Sequence, residues 1–345
     1  MYRRDLLKGL AAGGALATLG SSAYAAPAGW REFEITYRVR LDTRQAPARL
    51  WLPVPQDALD YQRVVDISWR SPTAVSLQWE GRSRAPVVAA TWLDPGIARE
   101  VDVTARVQTR DRSGFYPDAS HDELAEYLRP TASSPSDGVV LKKATEIVGA
   151  RTDPLDKAQA IYDWIVDNTF RRAETRGCGL GNIAFMIEAG DMGGKCADIN
   201  SLFVGLARAV GLPARDFFGV RVADSQVTKS LGKSGDITKA QQCRAEVFIA
   251  GKGWFPVDPA DVRKVVLEEQ VPVDSDKVKA LRKRLFGNWE MNWVGFNYAR
   301  DFKLQGQDGA SLGFLMYPYA ETVEGTSDPL DPDRFTYSIS SKEIT

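Results

Sequence analysis

From Phe33 onward apolar side chains alternate with polar ones: Phe33, Ile35, Tyr37, Val39 and Leu41, then Leu50 and Leu52 around Trp51, and later Val101, Val103, Ala105 and Val107. A period of two sets one apolar row on one face of an extended chain, so these runs predict half-buried strands. Turn-rich stretches such as Asp94-Pro95-Gly96 separate them. Residues 30–112 are therefore expected to form an antiparallel, β-sandwich-like domain. The charged residues Arg31, Glu32, Glu34, Arg38 and Arg40 are expected on its wet face.

From Asp122 the period changes to that of a helix. Leu124, Tyr127 and Leu128 come first, then Val140, Leu141, Ala144 and Val148 behind Ser136-Asp137-Gly138. A stronger helix is expected from Pro154 to Phe170, where Ala158, Ile161, Tyr162 and Ile165 share a face and Pro154 suits the first turn. Leu202, Phe203, Leu206, Ala209 and Val210 mark another helix, and strands are expected around 217–222, 246–250 and 254–257. The Ser/Gly/Lys-rich stretch 224–236 reads as a loop. Beyond it lie a helical piece near 277–286, the aromatics Trp289, Trp293 and Phe296, and a strand candidate at 314–319. Helices followed by antiparallel strands predict an α+β core over residues 113–300, with a β extension over 301–345. The chain shows no internal repeat.

Chemistry concentrates in Gly193-Gly194-Lys195-Cys196-Ala197-Asp198-Ile199-Asn200, which runs into an apolar helix and leaves it through Gly211-Leu212-Pro213-Ala214-Arg215. A cysteine at a helix start meets unpaired N–H groups and partial positive charge. These favour the thiolate and offer donors to an oxyanion. The other two cysteines, Cys178 and Cys243, read either as a disulfide or as two small buried thiols. The single histidine, His121, lies outside these segments and reads as a surface or capping residue.

With Gln242-Cys243-Arg244-Ala245-Glu246 and Trp254-Phe255-Pro256-Val257-Asp258-Pro259 downstream, the segment resembles the catalytic core of the transglutaminase-like superfamily. The resemblance implies a papain-like α+β layout, a nucleophile helix packed on an antiparallel sheet. It also implies that Cys196 is the nucleophile and Asp258 the acid that orients a histidine. The histidine position, four residues before Glu246, is occupied by Gln242. Trp254 reads equally as core or as a wall of the site. The expected function is cysteine acyl transfer of protease, amidase or transglutaminase type on an amide of a peptide, protein or envelope polymer. Activity is expected to be reduced by the degenerate Cys196–Gln242–Asp258 triad, because glutamine cannot shuttle a proton. The alternative is a catalytically inactive binding module that uses the same cleft. With no acidic loop of EF-hand type, neither a metal nor a cofactor is expected.

Tyr2-Arg3-Arg4-Asp5-Leu6-Leu7-Lys8, a Gly/Ala-rich apolar stretch from Gly9 to Leu19, and Ala23-Tyr24-Ala25 together read as a twin-arginine signal peptide over residues 1–25. Periplasmic or secreted localisation is expected. The apolar stretch is too short for a permanent membrane span. The formal net charge of −1 becomes −3 once the +2 carried by Arg3, Arg4, Lys8 and Asp5 is removed. With no basic block, nucleic acid is excluded as a partner. The pattern specifies no oligomeric state.

Overall fold

The computed structural model describes residues 29–41, 46–117 and 119–344. The signal-peptide expectation falls on residues outside these. Among the described residues no helix is long and apolar enough to cross a membrane.

The alternating runs form strands β1 (Arg31–Leu41), β2 (Ala48–Pro53), β3 (Gln62–Arg70), β4 (Val75–Glu80), β5 (Ala85–Trp92) and β6 (Glu100–Thr109). Phe33, Ile35, Tyr37 and Val39 of β1 stand opposite Val107, Ala105, Val103 and Val101 of β6, and all eight are buried. The wet-face expectation needs one correction. Glu32 is only 2% exposed, because Arg106 and Gln108 on the neighbouring strand bond its carboxylate and remove it from water.

Helices α1 (His121–Leu128), α2 (Gly138–Val148), α3 (Pro154–Asn168), α4 (Ile183–Ala189) and α5 (Cys196–Ala209) follow. Strands β7 (Ala214–Arg221), β8 (Gln241–Ile249) and β9 (Gly253–Val257), helices α6 (Pro259–Glu268) and α7 (Asp276–Arg284), and strand β10 (Trp293–Asn297) complete the core. Its sheet is antiparallel in the order β9–β8–β7–β10. Helix α5 lies against it, buried at every residue from Cys196 to Arg208, with Ile199, Leu202, Phe203 and Leu206 in one apolar cluster with Ala245 and Val247 of β8. A helix so enclosed has its first turn held in place by the surrounding elements.

The last strands, β11 (Tyr319–Thr322), β12 (Gly325–Ser327) and β13 (Phe335–Ile344), are laid into the sandwich. β13 pairs with β1, and β11 pairs with β2, so each sheet of the sandwich is built from both ends of the chain. The strand expected at 314–319 is corrected. Regular structure begins only at Tyr319, because Phe314 stacks on Phe218 at 5.1 Å in an irregular segment over the core.

Candidate active site

Cys196 is the first residue of α5 and is 1% exposed. Asp198 makes this turn rigid. One of its oxygens accepts from the N–H of Lys195 at 3.0 Å, and the other accepts from the N–H groups of Leu180 and Gly181 at 2.9 Å. The two glycine motifs around it answer to the same side chain. A Cβ at Gly194 would fall 2.5 Å from Asp198 Cβ, and one at Gly179, whose φ is +91°, only 1.8 Å from Asp198 Oδ2. The expectation of free helix N–H groups for an oxyanion is corrected at one position. The Ala197 N–H donates to the Cys178 carbonyl at 2.9 Å, which ties the Cys178 loop to the Cys196 turn.

All three cysteines are free and buried, and they converge. Cys178 and Cys243 do not form a disulfide. Hydrogen bonds from the Cys178 thiol and then the Cys243 thiol hold the Cys196 thiol well below its ordinary range, against burial, with the Arg171 guanidinium adding to the effect. Both partners move the other way. Cys178 is raised by its hydrogen bond to Cys196 and by burial, and Cys243 by burial and by the same contact. Of the three thiols, Cys196 is the one pushed toward ionisation. The Tyr317 hydroxyl donates to the Cys178 sulfur at 3.0 Å from the far side.

On β8 the neighbour of Cys243 turns to different partners. The Gln242 side-chain amide donates to Asp258 Oδ2 at 3.3 Å and to Asp261 Oδ1 at 3.1 Å, with all three side chains buried. Asp258 follows the last residue of β9 and caps α6, accepting from the Asp261 N–H at 3.1 Å. Two arginines neutralise the pair. Arg221 bonds Asp261 at 2.6 Å, and Arg244 Nε lies 3.6 Å from Asp258. Burial, then the charge of Asp261, pushes the Asp258 carboxyl well up, whereas Arg221 and Arg244 overcome the burial of Asp261 and lower it.

Asn200, one turn after Cys196, links the halves of the site. Its amide donates to the Cys243 carbonyl at 2.8 Å and to Asp258 Oδ1 at 3.0 Å, and its oxygen accepts from the Ala260 N–H at 3.1 Å. Sequence reasoning missed Asn200 and Asp261, although a polar residue on the buried face of α5 was a usable signal. It also missed Arg221 and Arg244, whose roles appear only when the strands pair.

The cleft over Cys196 has a volume of about 360 Å³ and is bounded by Cys178 and Tyr317 and, from the C-terminal segment, by Leu330, Phe335 and Tyr337. Trp254 is core instead. It is fully buried and carries the Arg215 guanidinium 3.9 Å from its ring, where Arg215 pairs with buried Glu246. His121 is exposed at the start of α1 and lies outside the cleft. Among the described residues no group of three or more His, Cys, Asp or Glu is arranged to hold a metal ion.

The sequence profile of the transglutaminase-like superfamily matches residues 142–259, the span that carries Cys196, Gln242 and Asp258. This core belongs to the transglutaminase-like superfamily. It is 36% identical to an uncharacterized protein of Haemophilus influenzae, with 91% of each chain covered. Its fold is similar to that of a Cytophaga hutchinsonii protein proposed to be a cysteine protease, at a TM-score of 0.54 and 18% identity over 91% of this chain and 98% of the other. The periplasmic domain of TgpA from Pseudomonas aeruginosa is a looser likeness, with a TM-score of 0.36, 14% identity, and coverage of 71% of this chain and 92% of that domain.

Proposed function

We propose that this is an exported cysteine acyl-transfer protein, of protease or amidase type, whose proton shuttle is missing. The observation that carries the reading is a cysteine thiol held low at the start of a buried helix, beside a strand on which Gln242, at the family's histidine position, is hydrogen-bonded to Asp258 and the next residue, Cys243, reaches that thiol. In such a site the sulfur attacks the amide carbon, the C–N bond breaks as the amine takes up a proton, and water or a second amine then releases the acyl group. The lowered Cys196 thiol eases the first half of the step. The leaving amine, however, needs an acid, and a carboxamide is far too weak an acid to transfer its proton near neutral pH, so the second half of the step is slow. General acid–base transfer is worth about 10²–10⁴-fold, and that is the expected deficit.

The alternative is a binding module. It is favoured by the way the Gln242 amide nitrogen is held between two carboxylates, which commits both of its N–H donors to the protein. In that reading the cleft binds a peptide or envelope polymer and does not cut it. Turnover of an amide by the natural form, Gln242→His and Cys196→Ala distinguishes the two. Export is proposed from the Arg3-Arg4 signal.

A further inference from the structure

The charged side chains lining the cleft over Cys196 are Arg171, Arg176, Lys195 and Lys239, all cations; among the described residues no aspartate or glutamate lines it. Arg176 is neutralised by Asp328 at 2.5 Å. Lys195 and Lys239 make no ion pair among the described residues, and Arg171 is only partly countered. Arg171 is informative, because its Nε is 3.7 Å from Glu268, beyond a hydrogen bond, and its Nη1 is buried with no hydrogen-bond partner. A buried guanidinium donor left unmade is costly, and the planar group that satisfies it best is a carboxylate. The remaining walls, Tyr317, Leu330, Phe335 and Tyr337, offer apolar and aromatic surface. Positive charge on one side and aromatic surface on the other suit a ligand with an acidic end and a carbon stem.

We propose that the cleft selects amides that carry a carboxylate close to the scissile bond, with Arg171 as the anchoring donor and Lys195 and Lys239 supplying the field. This rests on the acyl-transfer reading for the word substrate, but the geometry that motivates it is that of the cleft walls. A carboxylate can come from an acidic side chain or from a free chain terminus. The chemistry of recognition is the same for both.

The test is thiol labelling of the full chain by two methanethiosulfonates that differ only in charge, the sulfonatoethyl and the trimethylammonioethyl reagents. Each rate at Cys196, assigned by peptide mapping, is divided by the rate for N-acetylcysteine amide. The anionic reagent should be favoured by about tenfold or more at low salt, the lower end of what a focusing cleft supplies. The preference should collapse near 1 M salt, where the Debye length is about 3 Å. Arg171→Gln and, on the exposed side, Lys239→Gln should each lower it; Lys239→Gln keeps the test valid if the first variant misfolds. A ratio of one or less, or no labelling of Cys196 by either reagent, would overturn the proposal. In a second arm, three peptides of one sequence compete with neutral methyl methanethiosulfonate. One bears Glu with an amidated end, one Gln with an amidated end, and one Gln with a free terminus. Protection by either acidic peptide over the neutral one supports the site and identifies the source of the carboxylate, whereas equal protection by all three overturns it. Charge selectivity lost with Cys196-dependent turnover intact defeats only the carboxylate site; selectivity kept without such turnover defeats only acyl transfer.

Discussion

Replacing Asn200 by alanine should be among the most damaging single changes in the core. Asn200 is fully buried and makes three hydrogen bonds, to the Cys243 carbonyl, to Asp258 Oδ1 and from the Ala260 N–H. Alanine removes all three and leaves their partners dry. Each buried group left unpaired costs about 1–3 kcal/mol. Asp258 Oδ1 keeps its bond from the Asp261 N–H, so its share is at the low end. A total of about 3–5 kcal/mol follows, a large part of the roughly 5–15 kcal/mol that holds a folded chain together. Urea unfolding of the natural form and Asn200→Ala measures the difference. Asn200→Asp is the control for shape, since it fills the same space but turns an oxygen toward the Cys243 carbonyl and the Asp258 carboxyl. It should be at least as unstable as the alanine variant at neutral pH. A loss below about 1 kcal/mol for Asn200→Ala would refute the reasoning, because exposed hydrogen bonds behave that way and bridging buried ones do not.

Other outcomes follow from the same geometry. Gly194→Ala should disorder the nucleophile turn, since its Cβ would press on Asp198 at 2.5 Å; slowed Cys196 labelling together with a lowered melting temperature would show it, and an unchanged protein would contradict the packing. Glu269 bonds Lys277, Ser230 and Thr228, which hold its carboxyl down to about 2. A depressed acid stabilises the fold above its ordinary value and loses that contribution as pH falls through the folded value. Stability should therefore drop between about pH 5 and pH 2, and Glu269→Gln should start lower at neutral pH and fall less over that window. Replacing Arg3 and Arg4 with Lys should hold the protein in the cytoplasm, and export unaltered in that variant would rule out the twin-arginine assignment.

The parts of the fold that were legible in the sequence are those with a clean period. Helix α5 and strands β1 and β6 announce themselves because one face of each is wholly apolar. The starts of β7 and β8 were missed because buried charges sit there. Arg215 stacks on Trp254 and pairs with Glu246, and Arg244 lies beside Asp258, so these strands read as polar until their partners are known. Completion of the sandwich by β11 and β13 depends on pairing across nearly the whole chain, which no local pattern encodes. At the site, Cys196, Gln242 and Asp258 were named through the resemblance to the transglutaminase-like superfamily, and the structure adds the Gln242–Asp258 hydrogen bond. The convergence of Cys178 and Cys243 on the nucleophile, the Asp258–Asp261 pair and the cationic wall arise from tertiary closure.

The central claim is that the site is prepared for acyl transfer and lacks only a proton shuttle at position 242. Turnover of one activated glutamine-containing peptide by the natural form, Gln242→His and the double variant Gln242→His/Cys196→Ala tests it most directly. The account predicts slow turnover by the natural form, a gain of about 10²–10⁴-fold with the histidine, and loss of that gain with the cysteine. Fast turnover by the natural form that depends on Cys196 and does not rise with Gln242→His would contradict it.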